Sequence, residues 1–288
     1  MVRWIRNSVI GLVVVALLGG ALVLAGWTVS ETHFARPDAG FDREVARLEA
    51  LPGARVTSSE RWVEAPTFSE PQARVDVEVA AADLPGVLAA TCAAEYPGPV
   101  AWSLVVDAGA STTVIVNDDI PATGSRCLDV GFDVAGIVEA AGALVPGVDL
   151  QPVLREDGSL ALVAVDLEGR DIAGSLPLVA HADDLRDAAG LDADRTVQID
   201  TMALGIAIGP GEHDRWRALV DGLVTEDGVT QLSADDADSQ TDGVAKVQVA
   251  VPAAAHDAVE ARIRASGLPV ADHPVRFLPD DGRGTTEG

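Results

Sequence analysis

The pattern of apolar and polar positions divides the chain into two unequal parts. An uninterrupted apolar run extends from Val9 to Val29, and short periodic segments follow it. Val75, Val77 and Val79 alternate with Asp76, Glu78 and Ala80, and Val247, Val249 and Val251 alternate with Gln248 and Ala250. Period two marks a half-buried strand, because successive side chains point to opposite faces of a sheet. Helical spacing lies between such strands. Leu84, Val87, Leu88 and Thr91 share one stripe, and Val259, Ile263 and the aliphatic part of Arg262 share another. Candidate helices begin near Phe41, Asp83, Asp133, His181, Gly211 and Pro252. The tripeptides Leu51-Pro52-Gly53, Tyr96-Pro97-Gly98, Val145-Pro146-Gly147 and Gly267-Leu268-Pro269 each close a helical stretch. Proline cannot continue a helix and glycine accepts the left-handed cap, so each is a stop signal with a physical cause. Hairpin turns are expected at Asp107-Ala108-Gly109-Ala110 and Glu156-Asp157-Gly158-Ser159.

Strung together, these elements read αββ about six times, the last unit keeping one strand. Arg74 to Arg155 can be framed as βαββαβ, and so can Ala203 to Leu278, which is the ferredoxin-like order. The expected class is α+β: an N-terminal transmembrane helix, then tandem αββ repeats forming two ferredoxin-like sheet-plus-helix domains. The boundaries are a tail at 1–8, a membrane span at 9–29, a linker at 30–40, a first domain at 41–167, a connection at 168–191, a second domain at 192–279 and a disordered tail at 280–288. The connection is placed where strand and helix signals are shortest.

The span is read from length and flanks. At about 1.5 Å per residue, the run from Val9 to Val29 matches a bilayer core of about 30 Å. Arg3 and Arg6 precede it, which holds the N-terminus on the cytoplasmic side, and Trp4 and Trp27 stand at the two interfacial depths. The expectation is a single-pass plasma-membrane protein with the bulk of the chain extracytoplasmic. A cleaved secretory signal is the alternative, but its apolar stretch typically spans about 7–15 residues. The formal net charge is −25, and every acidic residue follows the run. Such a surface repels nucleic acid and anionic lipid, and nucleic acid is not an expected partner.

Candidate chemistry is sparse. The only cysteines are Cys92 and Cys127, expected to pair as a disulfide from their even number and an oxidising compartment. Buried thiols are the alternative. Closing a loop of about 36 residues stabilises by roughly 4 kcal/mol on the chain-entropy model. The five histidines, His33, His181, His213, His256 and His273, include no pair at helical i, i+4 spacing and no HExxH. The acidic loop Asp235, Asp236, Asp238, Asp242 invites a calcium reading. Counted from Asp236, however, Thr241 stands where an EF-hand needs glycine and Val247 where it needs glutamate. Gly124-Ser125 and Gly174-Ser175 lack the G-x-S-x-G elbow, and no phosphate-binding glycine loop occurs. Gly209-Pro210-Gly211 offers backbone donors to an anion, less the one proline removes and against the charge of Glu212. No cofactor, metal or catalytic residue is expected.

The passages Ala89 to Val106, Val138 to Val153 and Val259 to Phe277 each run from an alanine-rich helix through a Gly or Pro break into a β-rich segment. This tandem αββ order resembles the BON modules of bacterial envelope proteins. The resemblance implies an envelope role in binding a protein partner or a phospholipid surface. The function expected from the sequence is therefore a membrane-anchored, noncatalytic binding protein of the cell envelope. The rival is an envelope hydrolase whose site is assembled from dispersed Asp and Ser residues; a deep pocket of converging polar groups would favour it.

Overall fold

The computed structural model describes residues 33–64, 71–92, 96–118, 127–164, 172–235 and 243–278. Twelve strands and seven α-helices follow in the order β1 (His33–Ala35), α1 (Ala39–Glu49), β2 (Ala54–Glu64), β3 (Gln72–Ala80), α2 (Leu84–Cys92), β4 (Ala101–Gly109), β5 (Thr112–Asp118), α3 (Val134–Leu144), β6 (Asp149–Leu154), β7 (Leu160–Ala164), α4 (Leu176–Ala180), α5 (Ala182–Ala188), β8 (Val197–Asp200), β9 (Leu204–Ile208), α6 (His213–Thr225), β10 (Gln231–Asp235), β11 (Lys246–Ala250), α7 (His256–Ala265) and β12 (Val275–Leu278). All twelve strands belong to one mixed sheet, arranged in sequence order. Strands joined without a helix, such as β4–β5 and β6–β7, pair antiparallel. Strands separated by a helix, such as β3–β4 and β7–β8, pair parallel, except that β2 runs antiparallel to the three-residue β1 across α1. A short connection reverses the chain, whereas a parallel neighbour requires a longer crossover, usually helical. From α2 onward each αββ unit therefore adds a parallel strand and then its hairpin partner, and α7 adds β12 alone.

This corrects the expected fold class. In place of two ferredoxin-like sheets there is one continuous sheet, and the seam between the halves is an ordinary parallel pairing of Leu160–Val163 with Val197–Asp200. The stretch expected to be a connection, 168–191, is described from residue 172. It carries a 3-10 turn (Ile172–Ser175), α4 and α5. Ile172, Leu178, Val179, Leu185 and Ala189 are buried there. One core cluster runs from Phe41 to Val270 through both halves. The strand pattern fixes which face of each strand is apolar but says nothing about which strands are neighbours.

The expected membrane span, 9–29, lies outside the described residues. Among the described residues no helix is long and apolar enough to cross a membrane. Their longest helix, α6, has 13 residues, or about 20 Å at 1.5 Å per residue, against the ~30 Å of a bilayer core. The transmembrane, single-pass and plasma-membrane assignments are corrected on this ground.

The apolar face follows from the alternation. Val75, Val77 and Val79 on β3 and Val247 and Val249 on β11 are buried, as are Leu104, Val114, Leu160 and Leu162 between them. Helices α1 and α3 start at aspartate caps. The Asp38 carboxylate accepts from the Gly40 and Phe41 N–H groups at 2.8 and 3.1 Å, and that of Asp133 accepts from Gly136 N–H at 3.0 Å. These hydrogen bonds also hold the Asp38 carboxyl below its ordinary pKa. The β4–β5 turn sits later than the sequence pattern suggests. β4 runs through Gly109, and Ala110 and Ser111 take φ of 51° and 60°, the left-handed pair of a tight hairpin. Cys92, the last residue of α2, forms a disulfide with Cys127. Nearby, the Leu128 N–H donates to Thr91 Oγ1 at 3.4 Å.

Candidate functional site

Alternate residues form the second face of the sheet. Glu78, Val105 and Ile115 pair in a row across β3 to β5, and Gln151, Val163 and Asp200 continue it across β6 to β8, in the register that β5 and β6 share at Thr113–Asp149 and Val114–Leu150. Val105, Ile115 and Val163 are half-buried where their neighbours Leu104, Val114 and Leu162 are completely buried, and Val153 is 37% exposed. This face is therefore open, with β-branched and amide side chains at its centre and charged ones toward its margins.

Two depressions lie on it at opposite strand ends, each of about 280 Å³. The first is lined by Arg55, Glu78, Val105, Asp107 and Thr113. Its cation is already neutralised, because Arg55 and Glu78 form an ion pair across β2 and β3. The second lies where the β6–β7 turn meets the loop before β8, and is lined by Asp157, Ser159, Asp194, Arg195, Thr196 and Gln198 with Gly158 and Ala207.

The turn builds the second depression. Gly158 N–H donates to the Arg155 carbonyl at 2.9 Å, and Gly158 takes φ of 79°. The Asp157 carboxylate accepts from the Ser159 N–H at 2.8 Å and from its hydroxyl at 2.7 Å. These two bonds, hydroxyl first, hold the Asp157 carboxyl below its ordinary pKa. Gln198 on β8 donates from Nε2 to Ser159 Oγ at 3.0 Å. Arg195 lies over the turn glycine; a Cβ on Gly158 would sit 2.0 Å from Arg195 Nη1. Arg195 has no ion pair or side-chain hydrogen bond among the described residues.

A carboxylate with a lowered pKa is a weak base, and the Ser159 hydroxyl is bonded to it with no imidazole between, so nothing activates an oxygen nucleophile. Three of the histidines make contacts within the fold. His213 Nε2 donates to the Ala180 carbonyl at 3.0 Å, tying α6 to α4, and its Nδ1 stands 3.9 Å from Asp183. His181 Nδ1 lies 2.9 Å from Asp184. His256 stacks on Phe277 with ring centroids 3.7 Å apart. His273 is half-buried before β12, and the His33 side chain lies outside the described set. No group of three or more metal-ligating side chains converges among the described residues. Of the acidic loop, Asp235 ends β10, while Asp236, Asp238 and Asp242 lie outside the described residues, as does Gly124-Ser125. Ser175 is buried, 3.2 Å from Thr201 Oγ1. At Gly209-Pro210-Gly211 the Gly209 N–H is taken by the Glu212 carboxylate at 3.1 Å, so the protein's own side chain occupies that anion position. Cys92 and Cys127 are joined to each other.

Sequence reasoning identifies Glu156-Asp157-Gly158-Ser159 as a turn and misses Arg195 and Gln198. They belong to no motif, and only the parallel register of β7 and β8 brings them to the turn. No protein-family model, curated protein or solved structure matches the chain.

Proposed function

We propose that the protein is a noncatalytic binding module that presents the open face of its sheet to a protein partner. The observation that carries this reading is the row from Glu78 to Asp200, in which half-buried Val105, Ile115 and Val163 lie beside Gln151 with acidic residues at both ends. Apolar area that neighbouring strands only half cover gains free energy when a partner covers the rest, at about 25 cal/mol per Å². Amide and hydroxyl side chains among it supply directional hydrogen bonds that select the partner. Open, shallow depressions support binding over hydrolysis, since a hydrolase needs an activated nucleophile or water held away from bulk solvent.

A photo-crosslinking amino acid placed in cells at Ile115 or Val153 on the open face, and at Glu139 or Asp221 on the helical side, tests the reading. Discrete protein adducts are expected from the first pair and none from the second. Equal adducts from both pairs, or none from either, would overturn it.

A further inference from the structure

We propose that the depression at Arg195 is a subsite for a carboxylate with an amide beside it, as at the C-terminus of an extended peptide. This rests on the reading of the open face as a binding surface and names what one end of it recognises.

On a chain with formal net charge −25, Arg55 and Arg186 are paired with carboxylates, whereas Arg195 has Asp157 and Asp194 in the same lining and is paired with neither. Asp157 turns its Oδ1 to Ser159, which donates both of its bonds to that one oxygen. The guanidinium is held over Gly158, the one residue type that supplies both the turn's positive φ and the space. A planar fork with free N–H donors matches a carboxylate in two parallel bonds. Beside it, Gln198 uses one N–H on Ser159 and keeps its carbonyl oxygen and second N–H, which together match the C=O and N–H of a peptide amide. Thr196 and Ala207 line the same depression.

Size and charge narrow the ligand. At about 280 Å³ the space is at the lower limit for a ligand pocket and suits a chain end. Asp157 and Asp194 at the rim penalise a dianion about twice as much as a monoanion, which disfavours phosphate.

The test is calorimetric titration of the full chain with N-acetyl-Ala-Ala as free acid, the same dipeptide as its C-terminal amide, acetate and inorganic phosphate. The free acid is expected to bind at least about tenfold more tightly than the other three, a margin typical of one charge-assisted pair. R195Q should remove that preference, while R55Q, in the other depression, should leave it intact. Failure of the free acid to bind, equal binding of phosphate or of the amide, or an unaffected R195Q would each overturn the carboxylate assignment. Acetate binding as tightly as the dipeptide would remove the amide contact and the proposal with it. Crosslinks at Ile115 without dipeptide binding would sink this inference and leave the open-face reading standing.

Discussion

Asp157 shows how far a single hydroxyl sets local charge. The two largest causes that lower its pKa are hydrogen bonds from Ser159, the hydroxyl's first. In Ser159→Ala the backbone bond remains and the hydroxyl bond is lost, so the Asp157 pKa is expected to rise toward the ordinary carboxylate value. The sign for stability follows from linkage. A carboxyl whose folded pKa is depressed contributes stability above its unfolded pKa and loses it as pH falls through the folded value. In the variant that contribution is smaller and its loss occurs at higher pH, nearer the unfolded pKa. Carbon-detected NMR titration of the Asp157 carboxyl measures the shift directly; an unchanged midpoint would remove Ser159 as the cause. The second consequence falls on Gln198, whose Nε2 loses its acceptor and becomes free to turn toward solvent.

Between elements, glycines separate close crossings from open surface. Gly136 on α3 faces the end of α5, where an added Cβ would lie 2.2 Å from the Ala188 carbonyl oxygen. Backbone at that distance cannot yield without moving the helix. Gly136→Ala is expected to lose about 1–3 kcal/mol by overpacking, more than the ~1 kcal/mol that alanine gains in helix propensity. Gly86 on α2 has nothing within 4 Å of the same added atom, so Gly86→Ala should stabilise by up to about 1 kcal/mol. Urea denaturation should show the two midpoints moving in opposite directions at unchanged m-value; a shared direction would mean that the α3–α5 crossing is not the limit. The difference also marks what was legible in the sequence. Helix starts near Phe41, Asp133 and His181 fall within a few residues of α1, α3 and α5, because caps and apolar spacing are local signals. The contact of Gly136 with Ala188, like that of Arg195 with Gly158, joins residues far apart in sequence and depends on sheet order. Alternation along a strand carries no information about that order. The turn at Ala110-Ser111 was displaced for a related reason: two non-glycine residues at positive φ are held by the strands on either side rather than by their own preference.

At the scale of the molecule, one sheet and one core imply one unfolding unit. Two domains joined by a passive connection would melt separately, but here the crossover from β7 to β8 runs through α4 and α5, whose Leu178, Val179 and Leu185 belong to the same core cluster as Val77 and Val249. Losing either half exposes that crossover and opens the parallel seam at Leu160–Val163. Two tryptophans report on the halves independently: Trp102 is buried on β4 and Trp216 on α6. Fluorescence of variants that keep one or the other of this pair, with the remaining tryptophans replaced by phenylalanine, is expected to give coincident urea transitions, matching far-ultraviolet circular dichroism. Substitution sharpens the test. Val77 and Val249 are both fully buried, and an unpaired carboxylate in either place costs several kcal/mol, a large part of the ~5–15 kcal/mol that holds a domain folded. Val77→Asp should therefore destabilise the environment of Trp216 as much as that of Trp102, and Val249→Asp should do the reverse equally. Tandem repeats that touch only their neighbours can instead lose cooperativity with distance. If Val77→Asp shifts the Trp102 transition and leaves that of Trp216 in place, the seam at β7–β8 is a true boundary, and the buried crossover does not couple the halves.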